Sequence, residues 1–226
     1  MNGKFSPKDF ARSLAHSVLR NPGGRIAGRG GDLGPVGTPG TAALTQPVVL
    51  IGPMAAGKSF LAQHMARFFG YGFVDADQLI VQKHGVIRDI FTQHGEKYFR
   101  DLEADAIEEV LADPQYANAI FAVGGGAPMT ERVSAVLRDE LVAYLEVDAA
   151  TVLPRITDST SRPMLQPDPP TRWLELLEAR APRYEELADI RVDGTRRRQI
   201  ADIAQDLHNE IQRMHGRQHP LPKDIS

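Results

Sequence analysis

The chain has 226 residues, of which 42% are hydrophobic and 24% charged, with 20 glycines, 16 prolines and no cysteine. This length can bury a sizeable core, and the lack of cysteine excludes disulfides, thiol catalysis and Cys-ligated zinc or iron–sulfur sites. No apolar run approaches the roughly 18 residues that span a bilayer, which rules out an integral membrane protein.

Charge divides unevenly along the chain. Residues 1–46 carry six basic and two acidic side chains (+4), whereas the remainder carries 20 and 27 (−7). The eight glycines within residues 21–46 predict a flexible linker, and the apolar spacing within residues 7–20 predicts a short amphipathic helix. A dispensable basic tail and an organellar transit peptide both fit this composition, whereas a secretory signal and a helix-turn-helix module do not.

From residue 47 onward, short apolar strands alternate with helical patterns. Strands are predicted at residues 48–51, 73–74, 119–123, 141–145 and 190–192. Helices are predicted at residues 58–69, 77–93, 96–112, 130–139, 149–156, 172–187 and 200–214. The alternation predicts an α/β fold of three layers (α/β/α) around a central, mainly parallel sheet, with its strand order left open.

A glycine-rich loop follows the first predicted strand. Residues 52–59, Gly-Pro-Met-Ala-Ala-Gly-Lys-Ser, satisfy the pattern G-x-x-x-x-G-K-[ST] in full. Gly52 and Gly57 permit tight turns, and the backbone N–H groups of such a loop converge on phosphate oxygens at a helix N-terminus. Lys58 can bridge the β- and γ-phosphates, and the Ser59 hydroxyl can ligate Mg²⁺. The loop therefore predicts binding of a nucleoside triphosphate.

Two carboxylates, Asp75 and Asp77, follow the second predicted strand. They would lie at the edge of the sheet where open α/β folds bind ligands. There they could assist Mg²⁺ and accept a proton from a substrate hydroxyl. An aspartate directly before a helix also caps its N-terminus, and one of the two is expected to do so.

Three arginines and a run of three glycines complete the candidate set. Arg100, Arg162 and Arg180 could grip a substrate carboxylate or neutralise charge on a transferring phosphoryl group. Taken singly, each is also an ordinary surface residue. The glycines at residues 124–126 directly follow a predicted strand, so their backbone could approach a ligand or form an ordinary loop.

In this order, the motifs resemble those of the shikimate kinase family over about residues 48–212. The shared segments are the loop, the aspartate pair, residues 90–100, the glycine run, residues 162–165 and residues 180–184. The resemblance implies a P-loop fold like that of nucleoside monophosphate kinases, with substrate-binding helices and a mobile lid at about residues 157–171. It also implies transfer of the ATP γ-phosphoryl group to a shikimate hydroxyl, with Mg²⁺, giving 3-phosphoshikimate and ADP.

The resemblance assigns roles by position. ATP would be contacted by Gly52, Ala55, Ala56, Gly57, Lys58, Ser59, Phe60, Arg155, Arg162 and Arg197, with Arg196 as the alternative to Arg197 beside the base. Shikimate would be bound by Asp77, Arg100, Gly124, Gly125, Gly126 and Arg180. Ser59 and Asp75 would hold the metal. Lys58, Asp77 and Arg162 would be catalytic, with Asp77 drawing the proton from the attacking hydroxyl.

Some positions depart from the family pattern. Ala55 and Ala56 stand where the family often has glycine and serine, and Phe60 stands where it often has a small hydroxyl residue. These departures bear on nucleotide preference. Two other functions stay open, a kinase of another polyol acid such as gluconate and a non-catalytic, shikimate kinase-like ligand sensor.

The expected organisation has three parts. A basic, glycine-rich extension covers residues 1–46, a shikimate kinase-like domain covers residues 47–214, and a tail covers residues 215–226. We expect a cytoplasmic monomer that binds shikimate and ATP, and that binds neither nucleic acid nor a membrane.

Overall fold

The computed structural model describes residues 44–156, 165 and 167–218, and for residues 216–218 the backbone alone. The N-terminal extension up to residue 43, most of the expected lid and residues 219–226 lie outside the described residues. The described elements are β1 (Val48–Ile51), α1 (Lys58–Phe69), β2 (Gly72–Asp75), α2 (Ala76–His84), α3 (Ile87–Ala112), β3 (Ala119–Ala122), α4 (Glu131–Leu137), β4 (Leu141–Glu146), α5 (Ala149–Ile156), α6 (Pro169–Leu187), β5 (Ile190–Asp193) and α7 (Ile200–Gln218). Two short 3₁₀ helices, Pro114–Tyr116 and Ala127–Met129, were not predicted.

The five strands form one parallel sheet in the order β2-β3-β1-β4-β5. Every residue of the central strand β1 is buried, since helices cover both faces of a sheet whose strands are joined by crossovers. The carboxyl ends of parallel strands lie at one edge. The segments that follow β1, β2 and β3 therefore meet there, although they are far apart in sequence.

The two faces of the sheet bury separate apolar layers. Val48 and Leu50 of β1 face a core shared with α1, α5 and α7. Val49 and Ile51 face the opposite core, which α3, α4 and the end of α6 complete. The alternation follows from the two-residue period of a strand, and it confirms the predicted three-layer fold.

The predicted separation of the helices at residues 77–93 and 96–112 is confirmed, since Gly95 has non-helical φ and ψ (80° and 174°) and kinks α3. A second break was not predicted: Gly85, with φ of 89°, ends α2 inside the first of these predicted helices. Helix α6 also begins three residues earlier than predicted, since Asp168 caps it and Pro169 and Pro170 fit its first turn. A glycine with positive φ marks both interruptions.

Helices α2 and α3 form a third, smaller cluster, built on Ile80, Ile90, Phe99 and Ala106. This pair holds the start of α2 and the middle of α3 beside the carboxyl edge of the sheet. Among the described residues, no helix combines the length and the apolar composition needed to cross a membrane.

Candidate active site

The carboxyl ends of the central strands open into a cavity of about 770 Å³. Its lining includes the phosphate-binding loop, both aspartates after β2 and two of the glycines after β3. Of the predicted site residues, it brings together Ala55, Ala56, Gly57, Lys58, Ser59, Phe60, Asp75, Asp77, Gly124, Gly125 and Arg155. Arg162 lies outside the described residues.

Three residues of the phosphate-binding loop have positive φ. Gly52 has φ of 140°, and a Cβ there would come within 2.7 Å of the Leu145 carbonyl oxygen on β4. Gly57, with φ of 104°, begins α1. Ala55 has φ of 63°, a left-handed conformation that costs an alanine about 1 kcal/mol. Position 52 thus requires glycine, both for its positive φ and for the lack of room for a Cβ. Ala55 instead adopts a backbone conformation that alanine disfavours.

Lys58 folds back over its own loop. Its Nζ donates hydrogen bonds to the carbonyl oxygens of Gly52 (2.8 Å) and Pro53 (3.0 Å), and the side chain is buried. Burial lowers the pKa of Lys58 to about 8, and the carboxylates of Asp77 and Asp75 oppose that shift. A desolvated amine is therefore held beside the loop that is suited to phosphate oxygens.

Ser59 and Asp75 meet at the mouth of the loop. The Ser59 hydroxyl donates to Asp75 Oδ2 at 2.5 Å, and Asp75 Oδ1 accepts from the Gln78 backbone N–H and caps α2. The prediction that one aspartate caps the helix is thus confirmed for Asp75. A hydroxyl and a carboxylate are oxygen donors that Mg²⁺ prefers, and Mg²⁺ usually completes its shell with phosphates and water. The pair fits that ion, because its two oxygen donors meet beside the phosphate-binding loop.

Asp77 lies in the first turn of α2. Its Oδ1 stands 3.6 Å from the point where a Cβ of Gly124 would be. Burial raises the pKa of Asp77, the charge of Asp75 raises it further, and Lys58 and Arg100 oppose the shift. A carboxylate made more basic in this way can accept a proton from a hydroxyl placed beside it.

Arg100 is held by two acidic residues of its own helix. Its Nη1 donates to Glu103 Oε2 at 2.5 Å, and its Nη2 donates to the exposed Glu96 at 3.3 Å. Glu103 is only 1% exposed, and its Oε1 has no hydrogen-bond partner. Burial raises the pKa of Glu103, and Arg100 opposes that shift. The guanidinium of Arg100 is therefore fixed before any ligand arrives.

Glu103 is a residue that the sequence analysis missed. Its spacing of three residues from Arg100 on a predicted helix is a usable signal, since such pairs share a helix face. That signal is weak because the helix carries many acidic residues, and burial is what singles out Glu103.

At each of the three glycines after β3, a neighbouring group occupies the place that a Cβ would take. A Cβ at Gly124 would lie 2.1 Å from Glu103 Oε1, and one at Gly126 would lie 2.4 Å from Arg100 Nη2. A Cβ at Gly125 would lie 3.0 Å from the backbone nitrogen of Met54 in the phosphate-binding loop. Each glycine thus admits a different neighbour, which no larger residue would allow.

Arg180 reaches the site from α6. Its positive charge lowers the pKa of Lys58 and opposes the raised pKa of the Tyr184 hydroxyl. That hydroxyl donates to the Gly125 carbonyl oxygen at 2.5 Å, and burial raises the pKa of Tyr184 to about 12. Arg100, Arg180 and Gly126 do not line the cavity itself, and Arg100 lies against Gly126.

The arginines expected beside the base are arranged differently from one another. Arg155 donates to the carbonyl oxygens of Ala55 (3.2 Å) and Ala56 (3.1 Å), so it also supports the loop. Arg197 donates through Nε to the Ala150 carbonyl oxygen at 3.2 Å and does not line the cavity. Its neighbour Arg198 does line it and pairs with Asp206 at 2.7 Å. Sequence analysis did not single out Arg198.

Comparisons with known proteins agree with this geometry. The family model described as shikimate kinase matches residues 54–212. A shikimate kinase of Streptomyces coelicolor is 36% identical over 162 residues, which are 70% of this chain and 93% of that protein. A shikimate kinase of Mycobacterium tuberculosis is 38% identical over 151 residues, 66% of this chain and 84% of that protein.

A solved structure shows the same likeness in three dimensions. Shikimate kinase from Acinetobacter baumannii, in complex with shikimate, superposes with a TM-score of 0.66 at 30% identity. The superposition covers 77% of this chain and 95% of that one. The P-loop fold, the matched segment and these relatives together show that the chain belongs to the shikimate kinase family.

Proposed function

We propose that this chain transfers the γ-phosphoryl group of ATP to the 3-hydroxyl of shikimate, giving 3-phosphoshikimate and ADP. The observation that carries the proposal is the contact between two loops. Gly125 lies against Met54 of the phosphate-binding loop, while its neighbours Gly124 and Gly126 lie against Glu103 and Arg100. A phosphoryl donor and an acidic acceptor bound on either side of this contact would be within reach of each other.

The nucleotide half acts by positioning and charge. Lys58 would exchange its two carbonyl partners for β- and γ-phosphate oxygens, which favour the charged amine. Ser59 and Asp75 would hold Mg²⁺, which when bound neutralises charge on the phosphates. The transfer is in line and needs no covalent enzyme intermediate.

The acceptor half holds the acid and removes its proton. Arg100 and Arg180 would bind the shikimate carboxylate, and the buried Glu103 keeps the Arg100 guanidinium in one orientation. Asp77, whose pKa is raised by burial, would accept the proton of the attacking hydroxyl. The backbone of the glycine loop would form the floor beneath the ring.

The remaining roles fall on Arg162 and on the two ends of the chain, most of which lie outside the described residues. We propose that Arg162 reaches the transferring phosphoryl group from a lid at about residues 157–171, which would exclude water during the reaction. Residues 1–46 and 215–226 would be appendages to the kinase domain, in keeping with a family match that begins at residue 54 and ends at residue 212. A cytoplasmic location is proposed because ATP is supplied there.

The test is ADP release by the full chain with Mg-ATP and shikimate, gluconate or no acceptor. We expect release that requires shikimate, and a product heavier than shikimate by one phosphoryl group. If gluconate were turned over as fast as shikimate or faster, shikimate would not be the preferred substrate and the proposal would be wrong. Tight shikimate binding with almost no turnover would favour the ligand sensor.

Asp77→Asn serves as the matched variant, because it keeps the shape of the side chain and removes its basicity. We expect turnover to fall by about 10²–10⁴-fold while both ligands still bind, the range typical of losing a general base. Unchanged turnover would exclude Asp77 as the base.

A further inference from the structure

The outer side of the phosphate-binding loop is held by two side chains that are distant in sequence. Trp173 of α6 donates its indole N–H to the Met54 carbonyl oxygen at 2.9 Å. Arg155 of α5 donates to the next two carbonyl oxygens, those of Ala55 and Ala56. Three consecutive carbonyl groups of the loop therefore have donors, and none of these bonds belongs to regular secondary structure.

These bonds bear on the inner side of the loop, because a trans peptide is planar. Its carbonyl and its N–H point in opposite directions, so fixing the Met54 carbonyl fixes the N–H of Ala55. Ala55 has φ of 63°, a conformation that an alanine rarely adopts unless its surroundings impose it. The bond from Trp173 is one of the contacts that impose it.

Trp173 is suited to this task by its burial and its place on the helix. It is 1% exposed within the core that includes Leu50 and Leu61, so its ring cannot swing away from the loop. On the same helix, Arg180 follows after two turns and Tyr184 after one more, and Tyr184 holds the Gly125 carbonyl oxygen. One face of α6 therefore contacts both loops of the site.

We infer that Trp173 is a positioning residue for the nucleotide: its indole N–H orients the Met54–Ala55 peptide so that the Ala55 N–H faces the phosphate site. This inference rests on the proposed use of the loop for ATP. It also identifies α6 as the element that joins the phosphate-binding loop to the arginine of the acceptor side.

The chain contains a single tryptophan, so the indole N–H can be removed at this one position without altering any other residue. Replacing tryptophan throughout the protein by its benzothiophene analogue removes only the N–H at position 173 and leaves the ring shape almost unchanged. Trp173→Phe is the genetically encoded counterpart. Leu174→Met, at the exposed neighbouring position on α6, is the matched control.

The measurements are the affinity for Mg-ADP and, separately, the affinity for shikimate without nucleotide, both by calorimetry. We expect the benzothiophene protein and Trp173→Phe to bind Mg-ADP about 5- to 10-fold more weakly, the size expected for one buried hydrogen bond. Shikimate affinity without nucleotide should stay within twofold of wild type. Leu174→Met should match wild type in both measurements.

The outcomes separate positioning from general support of the fold. Equal weakening of both ligands would assign Trp173 a purely structural role and overturn the inference, as would unchanged Mg-ADP affinity in both variants. Lack of Mg-ADP binding by the wild-type protein would instead overturn the proposed function.

Discussion

The two halves of the site differ in the groups that form them, backbone in one and side chains in the other. The nucleotide half is one continuous segment, residues 52–59, whose backbone supplies most of its polar groups. The acceptor half is assembled from side chains on separate helices, with Asp77 on α2, Arg100 and Glu103 on α3 and Arg180 on α6. The first depends on backbone conformation and the second on charged side chains, among which Glu103 is buried.

This difference predicts how each half responds to substitution. A backbone site tolerates changes of side chain, except where a glycine or a charged group is required. A site of paired charges is sensitive wherever a partner is buried, because removal of one partner leaves the other without a counter-charge. The following predictions test that distinction, beginning with the residue that belongs to both categories.

Lys58 is the one charged side chain in residues 52–59, and its loss should have the largest effect. Lys58→Ala removes the positive charge from the phosphates in the transition state, so we expect kcat to fall by at least about 10²–10³-fold. Shikimate affinity without nucleotide should change little. Steady-state kinetics and calorimetry measure both, with Lys83→Ala as an exposed control that should retain full activity.

Glu103 tests the acceptor half, because Arg100 has one buried and one exposed acidic partner. Glu103→Gln keeps the shape and removes the buried charge, so we expect shikimate affinity to fall by about tenfold, with Mg-ADP affinity unchanged. Glu96→Gln removes the exposed partner and should alter shikimate affinity by less than about twofold. Equal effects of the two variants would show that burial does not distinguish the partners.

The pKa of Lys58 predicts a pH dependence of nucleotide binding. In the free protein, burial lowers this pKa to about 8, and bound phosphates raise it because they favour the charged amine. Binding therefore takes up a proton above pH 8, and Mg-ADP affinity should fall by up to about tenfold per pH unit there. Calorimetry at pH 8.5 in two buffers of different ionisation enthalpy measures this uptake. Equal heats in the two buffers would contradict it.

Ala55 should give the smallest effect and the one most specific to backbone conformation. Ala55→Gly removes the penalty of a left-handed alanine, so we expect the free energy of unfolding to rise by up to about 1 kcal/mol, with activity retained. Ala56→Gly is the control, because Ala56 is buried and is not among the residues with positive φ. That variant should lose about 0.5–1 kcal/mol. Denaturant unfolding of both variants measures whether the free energy of unfolding rises in the first and falls in the second.

The sequence predicts the nucleotide half better than the acceptor half, for a physical reason. Residues 52–59 form their site with their own backbone, so the local pattern contains nearly all of it. Glu103, Trp173 and Tyr184 act on partners in other segments, and only the folded sheet brings them together. The resemblance to a known family indicated Arg100 and Arg180, but it did not indicate what holds them.

The same distinction applies to the fold. The strands and most helices follow from hydrophobic period, and the three-layer architecture follows from their alternation. The interruption at Gly95 was predicted, whereas the break at Gly85 was not, although both glycines have positive φ. Ile90 and Phe99 lie on either side of Gly95 and pack into one cluster, a contact that sequence spacing alone does not predict.

The contact at Gly125 helps to determine the distance between the two bound substrates. Phosphoryl transfer needs its reacting atoms about 3–3.5 Å apart. A backbone nitrogen of one loop lies 3.0 Å from where a Cβ of Gly125 would be, so main chain abuts main chain between the two halves. The distance between the phosphoryl donor and its acceptor is then set by the spacing of two adjacent strands, β1 and β3, rather than by any rotatable side chain. Side chains around the cavity can change which acid or which nucleotide base is accepted without changing that distance.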